Sequence, residues 1–273
     1  MDVKTLKLKA SENRLKVLEK VAEVGRGHLG GTFSCIEILT CLYYEILNLD
    51  LIKLNSNDRD RVLIGKGHAC LGLYNILFDL GLLSLEKLDE FGTNSHSLGP
   101  QLNHKNLGIE TNSGSLGHAI GLSCGLALAA RLNKKNYKVF SLVGDAECDE
   151  GSIWESVLFA SQNKLNNICV IVDRNWLSVT KKIDRLDEVS PLENRFKSYG
   201  WETIIIDGHN CEEIIKALKT NSAKPIAIIA DTIKGKGVSF MESGIKWHHS
   251  IPTKNEYLNA RSELENQILK NKL

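Results

Sequence analysis

Apolar positions recur at helical spacing from about Val3 to Val24 with charges on the opposite face, which predicts an opening amphipathic helix. The glycine-rich residues 25–31 then predict a loop, and IEILTCLYYEIL a second helix. RVLIG, residues 61–65, reads as a short buried strand running into Gly67 and a helix that begins near His68. A polar, turn-rich passage covers residues 94–112. After it, SLGHAIGLSCGLALAARL is a helix of small residues, suited to tight contact with another helix.

From Tyr137 the pattern changes to strands and helices in alternation. YKVFSLVG, NICVIVDRN, WETIIID and PIAIIADT are the strands; WESVLFASQNK, residues 192–199 and CEEIIKALKT are the helices between them. The strands are continuous apolar runs, so burial on both faces is expected. That combination predicts an α/β fold, a parallel sheet flanked by helices on both faces. With no repeat, low-complexity tract or linker, residues 1–273 read as a single domain, with a loosely attached tail after Pro252.

Composition narrows the setting. At 273 residues and 42% hydrophobic content, a sizeable core is available. Thirty-four basic against 33 acidic residues leave a formal charge of +1, so no global field attracts nucleic acid or an anionic membrane. Charges interrupt the apolar positions of the first helix, which argues against a signal peptide, and no transmembrane run is visible. Seven cysteines, scattered and without a CxxC pair, predict reduced thiols and a cytoplasmic location.

In an open α/β sheet, ligands gather at the carboxyl ends of the strands. There the chain carries Gly144-Asp145-Ala146-Glu147 after one strand and Asp173-Arg174-Asn175 after the next. A strand, helix, strand unit brings positions 145 and 175 to one end of neighbouring strands. Their carboxylate and amide oxygens are hard ligands that suit magnesium or calcium, completed by phosphate oxygens. Gly144 permits a tight turn, and the helix from Gly151 turns its amide end toward an anion.

GDAECDEGSIWESVLFASQNKLNNICVIVDRN resembles the thiamine diphosphate motif, which opens with GDG and closes with asparagine about thirty residues later. The resemblance to transketolases is closer and covers nearly the whole chain. It runs through GRGHLGG, DRVLIGKGHA, ETNSGSLGHAIG, IDGHN and DTIKGKGVSFME followed by WHHSIP, in the order of the amino-terminal half of that family. The resemblance implies that Asp145, Asn175 and the backbone carbonyl of Leu177 bind Mg2+ or Ca2+, with the diphosphate completing the shell. It places Gly144, Asp145, Ala146 and Glu147 in the cofactor-binding loop, the Ala146 amide toward the diphosphate. It sets His68 and His248 beside the cofactor, and Gly114, Ser115 and Leu116 beneath its rings. His28 and His104 would reach sugar hydroxyls, and Glu150 would couple sites at a subunit interface.

The implied reaction moves a two-carbon ketol unit from a ketose to an aldose, with the cofactor as electron sink and histidines moving protons. The implied assembly is an α2β2 heterotetramer with a separate carboxy-terminal transketolase subunit. That partner would carry the pyrimidine-binding domain and its glutamate, so this chain is expected to be silent alone. Sugars or sugar phosphates are the substrates implied.

Blander readings stand beside these. Asp145 also suits a turn, Asn175 a helix cap, His104 a solvated loop and Glu150 a first helical turn; His96, His118, His209 and His249 read as structural or surface groups. The lysines of KGKG fit a phosphate loop or a solvated one. Ala146, His118, His249 and the stretch LSVTKK depart from the family pattern and leave the sugar open. Competing functions are a deoxyxylulose phosphate synthase-like enzyme, a 2-oxo acid dehydrogenase alpha subunit, or a noncatalytic partner. GKGHA and WHH favour transketolase.

Overall fold

The computed structural model describes residues 1–93, 98–178, 190–242 and 244–273. Its centre is a five-stranded parallel sheet of β1 (Arg61–Ile64), β2 (Val139–Gly144), β3 (Ile168–Arg174), β4 (Glu202–Asp207) and β5 (Ile226–Asp231), in the order β1-β2-β3-β5-β4. Successive side chains point to opposite faces, so each inner strand feeds two cores. Phe140, Leu142, Cys169, Ile171 and Ile228 enter one; Val139, Val143, Val170, Val172 and Ile229 enter the other.

The helices in chain order are α1 (Val3–Val24), α2 (Leu29–Ser34), α3 (Ile36–Cys41), α4 (Leu49–Lys53), α5 (Cys70–Asp79), α6 (Leu85–Asp89), α7 (Ala119–Leu132) and α8 (Gly151–Gln162). They continue as α9 (Leu192–Ser198), α10 (Cys211–Leu218) and α11 (Lys254–Lys272). Helices α1, α3, α5, α10 and α11 cover the first core, while α7, α8 and α9 cover the second. The expected α/β sheet with helices on both faces is therefore present.

Several boundaries differ from expectation. Only residues 25–28 of the predicted glycine loop are non-helical, because α2 begins at Leu29 and takes in Gly30 and Gly31. Their missing side chains let that helix approach closely: a Cβ on Gly30 would lie 2.8 Å from the Trp247 carbonyl oxygen, and one on Gly31 2.9 Å from His68 Nε2. The helix predicted near His68 starts at Cys70, after a single 3-10 turn, Gly67–Ala69. The small-residue helix starts at Ala119 and packs on α8 through Cys124 Sγ, 3.5 Å from the Ser156 carbonyl, yet leaves Leu122 exposed. Strand β4 is not buried on both faces. It is an edge strand, with Ile205 50% exposed.

The tail after Pro252 is not loose. Thr253 and Glu256 form a reciprocal capping box, and Ala260 and Leu264 bury completely in the core that α1 also lines. Asn271 Nδ2 donates to Ser11 Oγ at 2.8 Å, tying the far end of α11 to α1. The polar composition of this helix hid a narrow apolar stripe. Among the described residues no helix is long and apolar enough to cross a membrane.

Candidate functional site

The register of the parallel sheet gathers the chemistry at one edge. Gly144 pairs with Asp173 and Arg174 with Asp231, so the residues that follow β1, β2, β3 and β5 emerge side by side. Backbone bonds carry the sheet slightly beyond its strands: Gly65 N donates to the Leu142 carbonyl at 2.8 Å, and Thr232 N to the Arg174 carbonyl at 3.0 Å. A cleft at this edge is lined by Lys66, His68, Leu116, Gly144, Asp145, Ala146, Glu147, Asn175, Leu177, Lys234 and His248. Gly114 and Ser115 line a neighbouring opening with His118 and Leu122.

Asp145 is 4% exposed. Its Oδ1 accepts from Ala146 N at 2.8 Å, and its Oδ2 from Trp176 N at 2.6 Å. Burial, reinforced by the Asp173 carboxylate, still pushes its carboxyl up to about 7. Asn175 accepts from Leu177 N at 3.2 Å through Oδ1 and donates from Nδ2 to Asp173 Oδ2 at 3.3 Å. Between them Trp176 turns through φ 63, a left-handed conformation that a bulky residue adopts only when its surroundings impose it. The Arg174 guanidinium lies over the Trp176 ring, 4.9 Å from its centroid, and supports that turn.

Glu147 is a clamp. Oε1 accepts from Gly117 N at 2.9 Å and Oε2 from Gly144 N at 3.1 Å, joining the loop after β2 to the turn before α7. Gly65 must be glycine for this clamp to fit, since a Cβ there would lie 2.1 Å from Glu147 Oε1. Ala146 opens a 3-10 turn, Ala146–Asp149, and does not have positive φ. The methyl group therefore fits the local backbone without strain.

Four histidines meet at the mouth. Ring centroids of His28 lie 5.2 Å from His68, 5.5 Å from His248 and 4.7 Å from His249; His68 and His248 are 5.3 Å apart. Burial holds His28 and His248 down at about 4, helped by His249 for the first and Lys234 for the second. Burial, followed by Lys66, drives His68 well below its ordinary value. All three are thus neutral imidazoles near neutral pH, able to accept or pass a proton.

Other predicted residues lie outside this group. His104 is exposed, with Nδ1 2.8 Å from Asn112 Oδ1. Glu150 is exposed at the N-cap of α8 and makes no capping bond. His118, exposed, bonds the Leu116 carbonyl, and His209 bridges Glu37 Oε2 and the Ile233 amide. His249, read as a structural or surface group, is exposed and also touches the cluster through His28. His96 and residues 179–182 of LSVTKK lie outside the described residues.

The sequence alone leaves three buried charges unassigned: Lys66, Asp173 and Lys234, the last within the KGKG that fits a phosphate loop or a solvated one. Lys66, 2% exposed, forms an ion pair with Asp173, which also accepts from Ser34 Oγ at 2.6 Å and from the Thr232 hydroxyl. Burial opposes both charges, but their pairing prevails: Asp173 is held below and Lys66 above its ordinary value. Lys234, also 2% exposed, donates to the carbonyls of Leu177 at 3.3 Å and Ser178 at 3.1 Å. Burial, then Lys66, lowers its ammonium to about 8. The visible signal was position: both lysines follow strands, at GKGHA and IKGKG.

These residues fit a divalent ion bound through a phosphate. Among the described residues no three His, Cys, Asp or Glu side chains converge as a metal cage. One carboxylate, one amide and one backbone carbonyl are a hard, incomplete set that needs ligand oxygens, as magnesium does. Asp145 and Lys234 are each strained electrostatically, and His248 Nδ1 is buried without a partner. A metal and an anionic tail would satisfy all three.

A family model described as transketolase, thiamine diphosphate binding domain, matches residues 6–267. The chain is similar to one of the apulose-4-phosphate transketolase subunits of Phocaeicola vulgatus, 36% identical over 273 residues, covering 99% of this chain and 97% of that protein. It is also similar to a 6-deoxy-6-sulfo-D-fructose transketolase subunit of a Clostridium species, 32% identical and covering 96% and 97%. Among solved structures, a transketolase from Campylobacter jejuni superposes with a TM-score of 0.85 at 26% identity. That match covers 99% of this chain and 46% of the Campylobacter chain, so the present chain spans under half its length.

Proposed function

The chain belongs to the transketolase family, as its thiamine diphosphate-binding domain, and on that premise we propose that it is the amino-terminal subunit of a two-chain transketolase. The reaction is transfer of a two-carbon ketol unit from a ketose to an aldose. Bound thiamine diphosphate supplies the electron sink for cleaving the bond beside the ketose carbonyl. The observation that carries this reading is the convergence of Asp145, Asn175 and the Leu177 carbonyl in one cleft with His68 and His248.

Each group has a task there. Asp145, Asn175 and the Leu177 carbonyl would hold Mg2+, or Ca2+, against the diphosphate. Ala146 would turn its amide to that tail by giving up its bond to Asp145 Oδ1. His248 Nδ1, buried without a partner, would gain an acceptor from that tail. His28 and His68, kept neutral by burial, take protons from donor hydroxyls and return them to the acceptor. His104, exposed and bonded to Asn112 of the neighbouring opening, would orient the sugar. Gly114 and Ser115 would offer the cofactor rings a surface with little side-chain bulk, and Leu116 an apolar one.

The separate carboxy-terminal subunit supplies the pyrimidine-binding domain and its glutamate. We place it over the opening of Gly114, Ser115 and Leu122, with Glu150 at the contact and an α2β2 assembly. The chain alone is then inactive. Relatives named for apulose-4-phosphate and sulfofructose support a sugar or sugar phosphate whose identity varies within the family. Seven unpaired, buried thiols support a reducing, cytoplasmic setting.

Calorimetric titration of the chain with thiamine diphosphate and Mg2+ tests the core of this reading. Metal-dependent binding is expected, and Asp145→Asn should weaken it about a hundredfold by removing the only carboxylate of the set. Equal binding with and without the metal would overturn the assignment.

A further inference from the structure

Lys234 stands where a divalent ion has to act. Its stem is enclosed, its ammonium donates to the carbonyls of Leu177 and Ser178, and it forms no ion pair among the described residues. A buried ammonium without a carboxylate is costly, and two carbonyl dipoles recover only part of its lost hydration. Leu177 also offers the third protein ligand of the proposed metal set. A metal on that oxygen would lie about 2.1 to 2.5 Å from it, leaving the two cations within roughly 6 Å of each other in a poorly screened cleft.

Resting on the proposed cofactor site, we infer that Lys234 is a place-holding cation: in the ligand-free chain its ammonium caps the Leu177 carbonyl and opposes entry of a divalent ion alone. The diphosphate relieves the conflict by giving the ammonium a new acceptor. Lys234 then releases the Leu177 carbonyl to the metal and turns to the anionic tail. Metal and cofactor therefore bind cooperatively, with this lysine as the physical link. Lys66 cannot take the role, because Asp173 already holds it.

The test counts bound Mn2+ by electron paramagnetic resonance, with and without thiamine diphosphate, in the wild type, Lys234→Met and Lys234→Gln. Circular dichroism checks that the variants are folded. Lys236→Met serves as control, since Lys236 pairs with Glu242 and does not line the cleft. Both Lys234 variants should bind Mn2+ alone at least about fivefold more tightly than the wild type, while thiamine diphosphate should improve their Mn2+ affinity by a smaller factor. Unchanged or weaker binding of Mn2+ alone, with cofactor binding intact in the wild type, overturns the place-holding role and leaves the cofactor site standing. A wild type that binds no thiamine diphosphate with Mn2+ overturns both.

Discussion

His28 and His248 show how a residue's setting decides its chemistry. Both have folded values of about 4 against an ordinary 6.5, because burial penalises the charged ring. A lowered value means that the folded form binds fewer protons, so its stability is whole above pH 6.5 and declines as pH falls toward 4. The melting temperature of the ligand-free chain should therefore drop across that window. His248→Asn should reduce the drop, whereas His104→Asn, at an exposed position, should leave it unchanged; thermal melts at pH 7 and pH 5 decide between them. His249 touches the same cluster from an exposed position, a contact that the expectation of a structural or surface group did not specify. A histidine's neighbours across the mouth come from α2, the Gly67–Ala69 turn and the Ile245–His248 turn, which no local pattern connects.

At the scale of elements, α11 carries the clearest lesson. Its charges suggested a loose tail, but Ala260 and Leu264 repeat at helical spacing and bury completely, and four residues in seven remain free to be polar. Leu264→Ala should cost about 2 to 4 kcal/mol of unfolding free energy, read by urea titration, because the cavity would open inside the core shared with α1. A change no larger than that of an exposed substitution such as Leu269→Ala would mean that α11 contributes nothing. Helix α7 errs in the opposite direction. Its small residues do pack on α8, but Leu122 is left at the surface, on the side where the partner subunit is proposed to bind.

For the whole molecule, the cleft at the carboxyl edge of β1, β2, β3 and β5 is half of an active site on the proposed reading. Ketol transfer should be undetectable with this chain alone in the presence of thiamine diphosphate and Mg2+. It should appear on titration with the pyrimidine-binding subunit and vanish on removal of the metal by a chelator. Full turnover by the isolated chain, followed by release of aldose from a ketose donor, would refute the two-chain assignment.

The strand and helix succession, the parallel sheet and the placing of Asp145 and Asn175 after neighbouring strands at one cleft were legible in the sequence, because each depends on short-range periodicity or on one strand, helix, strand return. The chain could not announce in the same way that Lys66 meets Asp173 across 107 positions, or Ser34 the same carboxylate across 139. Nor could it show that Lys234 reaches the Leu177 carbonyl, since two carbonyls, unlike a carboxylate, leave no charge pattern to read. Those contacts exist only because parallel strands stack in one register, bringing distant loops to a common edge and excluding water there. Local spacing determined which residues stood at strand ends; the tertiary packing decided which of their charges would be buried, paired or left waiting for a ligand.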